Sequence, residues 1–369
     1  MSEVRGIGRP AVVVVAKLAI ADCDLHLGPA SVTELFPFMA RRWRDHIETF
    51  GMSHRTGGFN GAPNYPKAAP AAARRDAWPP SGRPPGTDLE FTRAQHLDAN
   101  NVVLGLINPP TPSNATLHVG LGNALARAYN EWQLECLVRP EPRLKASIVV
   151  NYEDPDTAAA EIRYWAGNPG FGHVMMLGRT SSPMGSARYF PIFEAAAACG
   201  IPVAVHAFGF GGAPNTSSGW GSFYLEDMVG HAQSIQVQLT SMVVCGVFAR
   251  LPKLRYVLIE GGFGWAPSLG WRLDKAWKRL KSEVPELTKA PSEYIHEQVW
   301  FSTQPMEEPE VRDHVLDLIG WIGWDRLLFA TDYPHWDFDN PDAAMAFRMT
   351  AGQRAGIMRE NAVALYTRG

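Results

Sequence analysis

Residues 21–26 read ADCDLH, behind the apolar run AVVVVAKLAI of residues 11–20 and just ahead of the chain breakers Gly28 and Pro29. Polar side chains crowd the end of a segment whose preceding residues are suited to burial. Two readings compete. Asp is a common former of strand ends and turns, which makes the carboxylates a matter of local geometry. Alternatively, Asp24 and His26 stand two residues apart on a strand and project from one face. There a carboxylate and an imidazole can share a metal ion.

Beyond this stretch, short apolar runs rich in β-branched residues alternate with longer amphipathic ones. Strands are predicted at 17–23, 101–108, 144–151, 171–177, 202–207, 254–260, 299–302 and 326–332. Apolar spacing of three and four, with Pro or Gly at the starts, predicts helices at 122–138, 155–166, 188–199, 230–250, 267–281 and 309–320. Continuous apolar strands between helices specify a parallel sheet covered on both faces. Eight of them suit an α/β fold of the (β/α)8 TIM-barrel type with a long insertion after strand 1. The rival is a doubly wound sheet, but no GxGxxG follows the first strand, so nothing supports a dinucleotide site.

The expected organisation is one barrel domain over residues 17–369 behind a disordered leader, residues 1–16. Arg5 and Arg9 ahead of residues 11–20 give a weak likeness to a signal peptide. Lys17 interrupts that run, no small-x-small site follows, and ten apolar residues are too few to span a bilayer. Residues 51–90, rich in Pro, Gly, Ala and Arg, break the alternation. Leaving the end of the first strand, they would lie over a barrel's catalytic mouth as a lid or dimer arm; a disordered insert is the alternative. A net charge of −3 without a basic run argues against nucleic-acid and membrane partners. The expected partners are a small-molecule substrate and a second copy of the chain. Cys23, Cys136, Cys199 and Cys245 form no CxxC pair and read as reduced thiols of a cytoplasmic enzyme.

Ionisable groups recur where the apolar strands end. The first strand ends in Asp22, Asp24 and His26, the fifth in His206, the sixth in Glu260 and the eighth in Asp332. A lone strand-end His is more often a hydrogen-bonded core residue. Four such strands converging on one barrel mouth would leave desolvated, mutually repelling groups, a cost that a divalent cation relieves. Imidazole with carboxylate suits Zn²⁺, Mn²⁺ or Fe²⁺ better than Ca²⁺.

The ends DCDLH, PVAVH and FATDYPH, with LPKLRYVLIEGGFGWAP between them, resemble the amidohydrolase superfamily. The nearer likeness is to its amidohydrolase-related branch, which includes the aminocarboxymuconate-semialdehyde decarboxylase-like enzymes. It runs from about residue 17 to 366, including the C-terminal IMRENAVALY. The resemblance implies one divalent transition metal held by Asp24 and His26 from the first strand, His206 from the fifth and Asp332 from the eighth. Asp24 stands where many members carry His, and Glu260 stands where the decarboxylases of the branch carry a histidine followed by glycines. Glu260 is left with three roles: ligand to a second metal, orienter of a metal-bound water, or brace for its loop. The fourth strand, FGHVMML, holds no Lys, so a metal pair bridged by carboxylated lysine is not expected, and His173 on it reads as a packing residue.

The expected activity is a metal-dependent hydrolase in which Asp332 serves as general base to a metal-bound water attacking an amide, ester, thioester or lactone. The alternative is non-oxidative decarboxylation of an aromatic or enol-type acid, with His231, expected at a helix start, as proton carrier. Phe208, Trp265, Tyr333 and Trp336 are expected to wall the pocket, with His335 touching substrate.

Overall fold

The computed structural model describes residues 17–52, 72–109, 116, 118–207, 218–219 and 221–367. The leader 1–16 and residues 53–71 of the insertion lie outside the described residues. The strands are β1 Ile20–Leu25, β2 Val102–Ile107, β3 Leu144–Val149, β4 Phe171–Leu177, β5 Val203–His206, β6 Tyr256–Ile259, β7 Val299–Ser302 and β8 Leu327–Leu328. They pair in parallel and in sequence order as one eight-stranded sheet. Backbone bonds from Cys23 N to Phe329 O (2.9 Å) and from His26 N to Tyr333 O (2.8 Å) bring the last strand beside the first. The fold is a (β/α)8 barrel.

Strand burial explains the near-continuous apolar sequence. β1, β4, β5 and β6 are buried along their whole length, as expected where helices cover one face and the opposite strands cover the other. Ala21, Leu106, Ala204, Val257 and Leu328 come from strands around the ring yet form a single cluster, which is the barrel interior. Leu365 and Tyr366 of helix Asn361–Tyr366 join that cluster. The larger cluster fills the layer between strands and outer helices.

Two elements differ from the sequence expectation for identifiable reasons. β8 is two residues long instead of running to residue 332. Beyond Leu328, the carboxylate of Asp22 lies between the two backbone bonds and adds to them: it accepts from Thr331 N (2.9 Å) and from the Thr331 hydroxyl, and it also accepts from His96 Nε2 (2.7 Å) and Asp24 N (3.2 Å). The helix after β5 begins at Tyr224, not at residue 230, because Glu226 reaches back to accept from Ser222 N (2.6 Å) and Phe223 N (2.8 Å). It ends at Val244, before Gly246 in the left-handed region starts the short turn Val247–Arg250.

The described end of the insertion runs along the loop after β8. Arg74 N donates to Pro334 O (2.9 Å), Trp336 N to Ala72 O (2.8 Å) and Gly28 N to Gly86 O (3.0 Å), so this segment sits at the C-terminal mouth of the barrel. Among the described residues, no helix is long and apolar enough to cross a membrane.

Asp22→Ala would leave the Thr331, Asp24 and His96 donors without an acceptor in a buried seam. At about 1–3 kcal/mol per orphaned donor, unfolding free energy should fall by several kcal/mol, read as a lower denaturant midpoint. An unchanged midpoint would mean that the seam is held by other contacts.

Candidate metal centre and pocket

The strand ends bring Asp24, His26, His206 and Glu260 together, each offering one ligand atom, with all four atoms within 4.8 Å of one another. His206 Nε2 lies 2.8 Å from Glu260 Oε2, 3.6 Å from Asp24 Oδ2 and 3.3 Å from His26 Nε2. His26 Nε2 is 3.3 Å from Asp24 Oδ1 and 2.9 Å from Asp332 Oδ1. Asp332 belongs to a second group with His26 and His335, whose Nδ1 is 2.7 Å from Asp332 Oδ1. Glu260 (φ 56°) and Asp332 (φ 62°) both occupy the left-handed backbone region, costly for residues with a Cβ. Each carboxylate is thereby turned off the line of its strand.

The local chemistry fits a divalent cation. His206 Nδ1–H donates to Ala207 O (2.9 Å), which leaves the Nε2 lone pair of the neutral ring facing carboxylate oxygens and another imidazole. Asp24 Oδ2 is buried with no hydrogen-bond partner among the described residues. Burial opposes charge on all four groups, yet their mutual attraction prevails. Glu260 and Asp24 push His206 up to about 10 against that burial, and Asp24 raises His26 well above the usual histidine range. In return the imidazoles hold Asp24 and Glu260 well below the usual carboxylate range. Four converging groups that favour positive charge among them, drawn from imidazole and carboxylate, suit one divalent transition metal.

Two residues outside the sequence reading, Asn108 and Gln304, contact carboxylates of this centre. Asn108, directly after β2, donates to Asp24 Oδ1 (2.9 Å) and Cys23 O (2.8 Å), and its Oδ1 is 2.8 Å from His173 Nε2. Its signal was the one used for the other strands, a polar residue closing an apolar run. His173 also contacts Ser147 Oγ (2.9 Å), and burial pushes it down to about 3, so it is a neutral packing residue as expected. Gln304, after β7, donates to Asp332 Oδ2 and to Asp337 Oδ2, each at 3.3 Å. A glutamine carries no charge pattern by which sequence could single it out.

Beside the centre is a pocket of about 150 Å³ lined by His26, His206, Glu260, His231, Tyr224, Asp227, Met228, His335, Trp336, Asp337 and Ala72. Tyr224, Asp227, Met228 and His231 recur at helical spacing on helix Tyr224–Val244 and form one wall. His231 is two turns inside that helix, not at its start. Its Nδ1 lies 3.7 Å from Glu260 Oε1, and its Nε2 has no hydrogen-bond partner among the described residues. His335 stacks on His26 with ring centroids 4.1 Å apart. Trp265 does not line the pocket: its indole donates to Gly261 O (2.8 Å) and packs edge-on against Phe301. Tyr333 is also turned away, stacked on His96 with its hydroxyl donating to Gln95 Oε1 (2.8 Å). Phe208 lies outside the described residues.

A model of the amidohydrolase family matches residues 21–368. The chain belongs to the amidohydrolase family. The chain is 24% identical over 267 residues to the gamma-resorcylate decarboxylase of Polaromonas sp. strain JS666, covering 70% of this chain and 79% of that protein. It is 26% identical over 297 residues to the gamma-resorcylate decarboxylase of Rhizobium sp. strain MTP-10005, covering 76% and 87%. Its fold is similar to the crystal structure of 5-carboxyvanillate decarboxylase from Novosphingobium aromaticivorans, complexed with manganese and 4-hydroxy-3-methoxy-5-nitrobenzoic acid. There the TM-score is 0.69 at 18% identity, covering 95% of this chain and 96% of that one. These relatives correct the expectation of a hydrolase: the matching enzymes are named for decarboxylation. Asp332, expected as base to an attacking water, lies 2.9 Å from His26 Nε2 and 2.7 Å from His335 Nδ1, and accepts from Gln304 Nε2 at 3.3 Å.

A cation that binds only the folded amidohydrolase stabilises it by mass action, by about 2.7 kcal/mol at a hundredfold excess over Kd. Manganese should therefore raise the melting temperature of chelator-treated protein, and magnesium, which prefers all-oxygen ligands, should raise it less. Equal or absent shifts would count against a mixed imidazole–carboxylate centre.

Proposed function

We propose that this enzyme is a metal-dependent, non-oxidative decarboxylase of a hydroxylated benzoate, with Asp24, His26, His206 and Glu260 as metal ligands and Asp332 beside them on His26. The observation that carries the reading is the placement of His231. One ring nitrogen faces Glu260 at ion-pair distance, while the other is unpartnered at the wall of a pocket that adjoins the cluster. Decarboxylation needs a proton donor at the ring carbon, and an imidazole at the pocket wall is suited to that task. The pocket volume is about that of an engineered apolar cavity known to take up one benzene ring. Relatives named gamma-resorcylate decarboxylase support the same class of acid.

Asp24, His26, His206 and Glu260 would hold a divalent cation, such as the manganese found with the Novosphingobium enzyme, and it would supply positive charge to attract an acid substrate into the pocket. His231 then delivers its Nε2 proton to the carboxyl-bearing carbon. The bond to the carboxyl group breaks, its electrons restore the aromatic ring, and CO₂ leaves. His231 regains its proton from solvent. Trp336, Tyr224 and Met228 provide flat or apolar surface against the ring, and His335, stacked on His26, borders the same space.

Manganese-loaded enzyme incubated with 2,6-dihydroxybenzoate and other hydroxybenzoates in D₂O should release CO₂ and leave one deuterium on the vacated ring carbon. The absence of CO₂ from the whole panel would overturn the reading. His231→Gln should lower kcat by roughly 10²–10⁴-fold, the range for general acid–base groups, with metal content unchanged. Parent-level turnover in that variant would remove His231 from the proton path. His206→Ala should instead lose bound manganese and turnover together, because a ligand imidazole is gone; full metal occupancy would refute its assignment.

A further inference from the structure

The GGFG sequence after Glu260 is not accounted for by the pocket or the metal centre. Its backbone is clamped from two sides. On one side a Cβ at Gly261 would fall 2.9 Å from Ile235 Cγ1 of helix Tyr224–Val244. On the other, Glu307 Oε1 accepts from Phe263 N (2.9 Å) and Gly264 N (2.7 Å), just ahead of helix Ala266–Leu280. Gly262 has φ +63°, and a Cβ there would lie 2.7 Å from the same Glu307 oxygen. The glycines are what let a half-buried carboxylate from the loop after β7 reach this backbone.

That β7 loop contributes no ligand, yet it contacts both carboxylate-bearing strand ends. Ser302 Oγ accepts from Glu260 N (3.1 Å) and donates to Gln304 O (3.1 Å). Gln304 holds Asp332, and Met306 N donates to Asp339 Oδ2 (3.2 Å) beyond it. Glu260 thus enters its left-handed conformation between two fixed points, Ser302 at its own amide and Glu307 three and four residues on. We infer that Glu307 is a positioning residue for the metal centre: by pinning the Phe263 and Gly264 amides it sets the direction of the Glu260 carboxylate toward His206 and His231. This rests on the assignment of Glu260 as a ligand.

The test is manganese affinity of the purified full chain, measured by titration of chelator-treated protein, with melting temperature followed in parallel. Glu307→Asp withdraws the acceptor while keeping its charge, and should weaken manganese binding about 10–100-fold, the scale for groups that orient metal ligands. Glu307→Gln keeps the acceptor in place and should bind manganese within a few-fold of the parent. In a Glu260→Ala background, Glu307→Asp should add no further loss of affinity, because its effect runs through Glu260. If Glu260→Ala itself binds manganese as the parent does, the ligand assignment fails. If Glu260→Ala weakens binding and Glu307→Asp does not, or if the two losses add, the positioning role is overturned. Weak binding in Glu307→Gln equal to that of Glu307→Asp also overturns it, by making charge rather than acceptor position the operative property.

Discussion

The carboxylate of Asp22 is the interaction on which the rest of this structure depends. A barrel must close on itself, and here the closing pair has almost no regular ladder, since β8 contributes only Leu327 and Leu328. Asp22 bridges that deficit by taking the amide and hydroxyl of Thr331 from the loop after β8, the amide of Asp24 from its own strand, and His96 from a neighbouring helical segment. The same contacts fix the spacing between Asp24 and Asp332, so closing the fold and aligning the centre are one event. A side chain with two acceptor oxygens can meet four donors; no apolar residue in its place can.

At the centre itself, charge and burial pull in opposite directions. Each of the four clustered groups is taken out of water, which disfavours ionisation, yet each gains more from the others than burial removes. A divalent cation in place of the imidazole protons would find two carboxylates and two neutral imidazoles as its ligands. Glu260, directly after β6, borders both the cluster and the pocket. Its two oxygens face different partners, His206 on the cluster side and His231 on the pocket side, so one carboxylate joins the proposed metal ligands to the proposed proton donor.

The barrel was legible because buried parallel strands read as uninterrupted apolar runs, and FGHVMML and VWFS were bounded to the residue. Asp24, His26, His206 and Glu260 were legible for the complementary reason: an ionisable group ending such a run has nowhere to go but the mouth. Direction was not legible. Trp265 and Tyr333 follow strand ends just as Trp336 does, but hydrogen bonds to Gly261 O and Gln95 turn them away from the pocket. His231 was noticed but misplaced, because the capping by Glu226 that starts its helix early leaves little trace in apolar periodicity. Glu307 and Gln304 act through backbone groups and amides far away in sequence, and no local pattern encodes such a partner. The choice of chemistry was equally hidden, since an imidazole–carboxylate metal cluster serves hydrolysis and decarboxylation alike.

The seam also has a history within each molecule as it is made. Asp22 and Thr331 are separated by 309 residues, so at synthesis rates of about 5–20 residues per second the first strand waits roughly 15–60 s for the last. During that interval β1 is an edge without its closing neighbour, the kind of surface that recruits other chains. The carboxylates of Asp22 and Asp24 then act as deterrents, because charged side chains on an unpaired strand oppose edge-to-edge association. The residues that finish the enzyme protect it while it is unfinished.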